Sequence, residues 1–83
     1  MAPRLKTLSD RDVVAALRHF GFEVVSSRGS HTKLRREGPG GLRQTMTVPV
    51  HKDLARGTLL AIYRQALRYT TDAEIRPRFF TRE

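Results

Sequence analysis

Three histidines, at positions 19, 31 and 51, are the only side chains of this sequence whose ordinary pKa suits proton transfer near neutrality. Their settings differ. His31 follows Arg28-Gly29-Ser30, which is tight-turn chemistry, and it opens an alternating run with Lys33 and Arg35 on its own side. Glycine lets a phosphate approach the backbone closely, and a serine hydroxyl can donate a hydrogen bond to it. Two cations on the same side can hold an anion. A base beside fixed positive charge is the minimum equipment for driving a 2′-hydroxyl onto its neighbouring phosphate. His31 is therefore the candidate catalytic residue, and Arg28, Gly29, Ser30, Lys33 and Arg35 are candidate phosphate-binding residues around it. The plainer alternative is an exposed histidine at a strand end. His19 closes a helix beside Phe20 and Gly21, where a cation facing water is the simpler role. His51 sits on a loop in Val48-Pro49-Val50-His51-Lys52-Asp53, where structural and phosphate-contacting roles are both open.

No other chemistry competes strongly. The carboxylates Asp10, Asp12, Glu23, Glu37, Asp53, Asp72 and Glu74 are scattered, and there is no cysteine. A carboxylate cluster, a thiolate metal site and a disulfide are thus not expected, and the predicted chemistry needs no cofactor. The 83 residues are 39% apolar, which suits one small core and excludes a two-domain enzyme with a large enclosed cavity. The net charge is +8, and arginine supplies all 16 cations except Lys6, Lys33 and Lys52. Arginine binds phosphate as a planar fork, so this balance points to nucleic acid or an acidic protein as partner. Seven cations lie between Arg28 and Arg56 against Glu37 and Asp53, which concentrates charge where His31 lies. No stacking pair of aromatics accompanies them, so base-specific reading of a single strand is not expected. The apolar runs Val13–Leu17 and Leu59–Tyr63 are far short of the ~20 residues of a membrane span. The lead from Met1 to Asp10 lacks the apolar stretch of a signal peptide, and a cytoplasmic protein with no membrane partner is expected.

The elements that must position these residues can be followed along the chain. Ser9 is an N-cap, and Val13, Val14, Leu17 and Phe20 recur at helical spacing up to Gly21, predicting a helix over about 10–20. Asp12 replaces the usual Glu or Gln of a capping box, which supports the cap alone. Phe22–Ser27 predicts a strand whose facing is ambiguous, because Val24 and Val25 are adjacent. His31–Glu37 predicts a second strand with Thr32, Leu34 and Arg36 on one side and His31, Lys33 and Arg35 on the other. Gly38-Pro39-Gly40-Gly41 predicts a loop without regular order. A third strand over about Leu42–Val50 turns Leu42, Gln44, Met46 and Val48 inward and Arg43, Thr45 and Thr47 outward, and Pro49 marks its end or an edge. A second helix begins at Gly57-Thr58 with an apolar stripe through Leu67. Thr71 caps one short turn through Ile75 before Pro77, and a basic tail follows. The fold class is α+β in the order α-β-β-β-α, an antiparallel meander with helices covering one face.

Three strings together resemble the HicA, or YcfA-like, toxin family. They are Arg28-Gly29-Ser30-His31, Thr47-Val48-Pro49-Val50-His51, and Leu54-Ala55-Arg56-Gly57-Thr58-Leu59 leading into Ile62-Tyr63-Arg64-Gln65-Ala66. The likeness covers about residues 9–67 of one domain over 1–83 and leaves the tail 69–83 unassigned. Leu60 stands where the family often has a basic residue. Ala66-Leu67-Arg68 replaces its Ala-Gly-Leu ending, which predicts a second helix one turn longer. The resemblance implies a double-stranded-RNA-binding-domain-like fold and a type II toxin that cleaves mRNA without a metal. It further implies that His31 is catalytic, with Gly29 and Ser30 completing its motif, and that a HicB-like antitoxin covers that site. The rival readings are a non-catalytic RNA-binding module of the same fold and a protein-interaction or DNA-binding role held through a partner.

Overall fold

Ser9 starts the first helix with more than a cap. In the computed structural model, which describes residues 2–81, helix α1 spans Asp10–His19. The Ser9 hydroxyl accepts the Asp12 N–H at 3.1 Å, and the Asp12 carboxylate accepts the Ser9 N–H at 3.0 Å. The full capping box forms because an aspartate at the third helical position reaches back as a glutamate would. The helix stops where Gly21 takes φ +94°. Gly21 N–H then bonds Arg18 C=O at 3.0 Å, and Phe22 N–H bonds Leu17 C=O at 3.1 Å. That paired closure is a Schellman motif, and both Leu17 and Phe22 enter the core.

Strands β1 (Glu23–Arg28), β2 (His31–Glu37) and β3 (Arg43–Pro49) form an antiparallel meander in the order β1-β2-β3. The adjacent valines of β1 are accommodated by a register shift between Val24 and Ser26, a bulge, and all six residues of this edge strand are exposed. Two expectations at the β2–β3 connection are corrected. Pro39–Gly41 is an ordered 3-10 turn, closed by Gly38 N–H to Leu42 C=O at 2.7 Å and started by the preset φ of Pro39. Leu42 is 72% exposed, because it caps this turn before the ladder begins with Glu37 opposite Arg43. The inward side of β3 is Gln44, Met46 and Val48.

Helix α2 spans Arg56–Ala66 and does not run a turn further. Arg68 and Tyr69 instead bond back to Gln65 and Ala66 in a tight turn. Helix α3, Asp72–Phe79, outruns the expected single turn and carries Pro77 inside it. Three things offset the hydrogen bond that Pro77 cannot donate. Thr71 and Glu74 form a capping box, Ile75 and Phe79 are fully buried one turn apart, and Lys6 N–H donates to the Phe79 C=O at the helix end at 2.8 Å. Arg4 and Leu5 pair with Thr81 and Phe80, so the basic lead is a bridge to the tail. The structure therefore keeps the α-β-β-β-α order, with helices on one face of an open sheet and α3 added behind α2. Val13, Leu17, Phe22, Leu34, Met46, Val48, Leu59 and Ile62 are among the side chains of its core.

Arg36 belongs to that packed side. Its Nε donates to Gln44 Oε1 at 2.7 Å, Nη1 to Phe20 C=O at 2.8 Å and Nη2 to Tyr69 C=O at 2.8 Å. Its guanidinium lies 4.9 Å from the centre of the Phe22 ring. A Cβ at position 21 would stand 3.3 Å from Arg36 Cδ, so Gly21 also makes room for this side chain. Arg36→Met should cost about 2–3 kcal/mol in urea unfolding, because two helix-end carbonyls lose their donor. Arg36→Lys should recover little, because an ammonium cannot fork to three acceptors.

The two capping carboxylates make stability depend on pH. Asp12 is held below the usual carboxylate range by the Ser9 N–H and then its hydroxyl. Glu74 is held below it by the Thr71 hydroxyl, then the Thr71 N–H, and more weakly by the Arg36 charge. A carboxyl with a depressed folded pKa stabilises the fold above its unfolded pKa, and that contribution disappears as pH falls through the folded value. The melting temperature should therefore drop on acidification through and below the usual carboxylate range. In the Asp12→Asn, Glu74→Gln double variant the acid limb of the Tm–pH curve should be shallower.

Candidate functional site

The β1–β2 connection is a two-residue hairpin, Gly29-Ser30, between paired Arg28 and His31. Gly29 has φ +55° and no non-glycine residue among those described has positive φ, the pattern of a type II′ turn with glycine at its first central position. A Cβ there would meet nothing within 4 Å, so the glycine is required by the backbone and not by crowding. Ser30 C=O accepts the Val50 N–H at 2.7 Å, which fastens the hairpin to the end of β3. Ser30 Oγ lies 3.1 Å from His31 Nδ1 and fixes the imidazole on that side. Nε2 has no partner among the described residues.

Register decides what accompanies His31. Arg28 and Pro49 stand abreast of it, Ser26 and Thr47 abreast of Lys33, and Glu23 and Thr45 abreast of Arg35. Opposed residues of a ladder share a face, and β2 buries Thr32 and Leu34 toward the helices. His31, Lys33 and Arg35 therefore share the open face, with Arg28 beside the histidine. The structure sets Arg28, Gly29, Ser30 and His31 at the hairpin end of the sheet, with Lys33 and Arg35 following on the same open face two and four residues along β2. Arg28 and Lys33 are exposed and form no ion pair or hydrogen bond through their side chains among the described residues. Arg35 is half-buried, and its Nε is buried with no acceptor among the described residues.

The other candidates separate from this group. His19 is exposed at the end of α1, edge-on to Phe20 at 5.1 Å. His51 bridges to α1: its N–H donates to Asp10 Oδ1 at 3.1 Å and its C=O accepts the Asp10 N–H at 2.9 Å. Its Nδ1 accepts the Asp53 N–H at 3.1 Å, which closes its own loop. Arg36 belongs to the basic middle of the sequence, but each of its three nitrogens donates to a protein acceptor. Arg43, Thr45 and Thr47 extend the open face, as strand alternation indicated without giving them a role. Among the described residues no group of three or more His, Cys, Asp or Glu side chains is placed to hold a metal ion. No described helix is long and apolar enough to cross a membrane.

Gly29→Ala should destabilise the protein by about 1–2 kcal/mol, the cost of placing an L side chain at this φ, seen as a lower midpoint in thermal melting. A cost well above that would mean crowding that the geometry does not contain.

Comparison with known proteins places this arrangement. No curated protein matches the chain. The family model described as the HicA toxin of bacterial toxin-antitoxin systems matches residues 11–67. That span runs from the first turn of α1 to the end of α2 and contains the Gly29-Ser30-His31 hairpin, leaving the lead and α3 outside. With well over half of its length matched, the chain belongs to the HicA toxin family.

Proposed function

We propose that this toxin is a metal-independent endoribonuclease that cleaves mRNA, with His31 as the catalytic residue. The observation that carries the reading is the Ser30–His31 pair, 3.1 Å apart on a two-residue hairpin, with Arg28 and Lys33 beside it and without side-chain partners among the described residues. His31 takes the proton of a ribose 2′-hydroxyl, whose oxygen attacks the adjacent phosphorus. The bond from phosphorus to the 5′ oxygen breaks, that oxygen takes a proton from water, and the proton held on His31 passes to the hydroxide left behind, which restores the imidazole. The products are a 2′,3′-cyclic phosphate and a 5′-hydroxyl. Arg28 and Lys33 hold the phosphate under attack and stabilise the charge that builds on it, Arg35 holds a neighbouring phosphate, Gly29 allows close approach, and Ser30 orients the imidazole. An antitoxin partner follows from the family, and a HicB-like protein covering the His31 site is the form proposed for it. The +8 charge suits an acidic blocker as it suits RNA. A cytoplasmic location accords with an mRNA substrate.

Purified, antitoxin-free protein should cleave an unstructured RNA in excess EDTA and leave a cyclic phosphate end. His31→Ala should abolish cleavage and growth arrest while keeping the wild-type melting temperature. Cleavage that survives this substitution would displace His31 from the mechanism. Intact RNA in both lanes, with RNA still shifted on a gel, would favour the non-catalytic binding module of the same fold.

A further inference from the structure

We infer that the substrate strand is single-stranded RNA lying along β2 on the open face of the sheet, held past the cleavage point by Arg35, Arg43 and Thr47. This rests on the ribonuclease reading for its substrate but on separate observations for its path. Same-face residues of a strand are ~7 Å apart. His31, Lys33 and Arg35 therefore form a row whose step is close to the distance between successive phosphates of an extended single strand. The phosphates of a duplex follow a helical path and meet such a row at fewer points.

The cations on this face are available. Lys33, Arg35 and Arg43 make no side-chain hydrogen bond or ion pair among the described residues, and the Arg35 Nε is buried with no acceptor. Glu23 and Glu37 stand abreast of Arg35 and Arg43 without pairing with them. Lys6, Arg36 and Arg76, all away from this face, are by contrast bonded to protein oxygens. The Thr45 and Thr47 hydroxyls, abreast of Arg35 and Lys33, add neutral donors between the charges. The ladder brings no aromatic side chain to this face, so the grip is on the backbone and not on stacked bases. Binding along it is then steeply salt-dependent and nearly indifferent to base identity.

The experiment measures affinity for a fluorescent single-stranded oligoribonucleotide across a salt series, using the His31→Ala protein so that nothing is cut. Lys33→Gln, Arg35→Gln and Arg43→Gln should each weaken binding and lower the slope of log K against log salt by about 0.7, the value for one lost single-strand phosphate contact. Arg18→Gln and Arg64→Gln, exposed on the helices, and Arg68→Gln, exposed on the turn after α2, should leave that slope unchanged. Loss of slope confined to these three variants, or tighter binding of a duplex of equal length, would overturn the path. Binding of an acidic polypeptide with no salt-dependent binding of RNA would overturn it as well. Because binding is measured without cleavage, a wild-type protein that fails to cut RNA would remove the ribonuclease reading and leave the path standing.

Discussion

Three segments distant in sequence meet at the guanidinium of Arg36: the end of α1 at Phe20, the turn after α2 at Tyr69, and β3 at Gln44. Each contact satisfies an acceptor that the local backbone cannot. Phe20 and Tyr69 lie where helices have run out of N–H groups, so their carbonyls need an outside donor. A planar cation with five donors can serve both at once while still reaching Gln44. The facing of β2 follows from this anchor. Arg35 and Arg36 are adjacent and identical in type, yet one is spent on the fold and the other stands on the open face. A slip of one residue would exchange them and would turn His31 and Lys33 into the core.

The same alternation thus serves stability and function. Even-numbered β2 residues, Thr32, Leu34 and Arg36, hold the sheet to its helices, and odd-numbered ones remain for a ligand. His31 follows directly on a two-residue turn that the Val50 N–H bond to the Ser30 C=O ties to the end of β3. Its imidazole is oriented by its own neighbour in sequence, which requires no movement of distant parts. Beyond the family match, α3 and the lead buttress α2 from behind. The Tyr63 hydroxyl donates to Asp72, and the rings of Phe79 and Phe80 stand edge-on to Tyr63 at 5.5 and 5.2 Å. They add to the core without touching the open face.

Much of this architecture was legible from the amino-acid order. Ser9, Gly21 and the helical spacing of Val13 and Leu17 marked α1. Alternation alone separated His31, Lys33 and Arg35 from Thr32 and Leu34, and Gly29-Ser30 marked the turn between strands. These signals are local: caps, turns and strand facing depend on residues a few positions apart. What local pattern missed were competitions settled by distant partners. Leu42 alternates correctly with Met46 but is exposed, because the ladder starts after it. Pro77 should end a helix, yet burial of Ile75 and Phe79 and the donor from Lys6 carry α3 past it. The two valines of β1 announced an irregularity without saying that it would be a bulge.

By itself, then, the sequence determined the element order, the hairpin that carries His31, and the side of β2 from which it projects. Only the tertiary structure decided which cations are free. Lys6, Arg36 and Arg76 are chemically equivalent to Lys33, Arg35 and Arg43 in the sequence, and they differ only in whether a carbonyl or carboxylate from elsewhere lies within hydrogen-bonding reach. The acceptors of Lys6 and Arg36 come from positions far along the chain, brought together by burial of apolar side chains. That long-range placement is what no periodicity records.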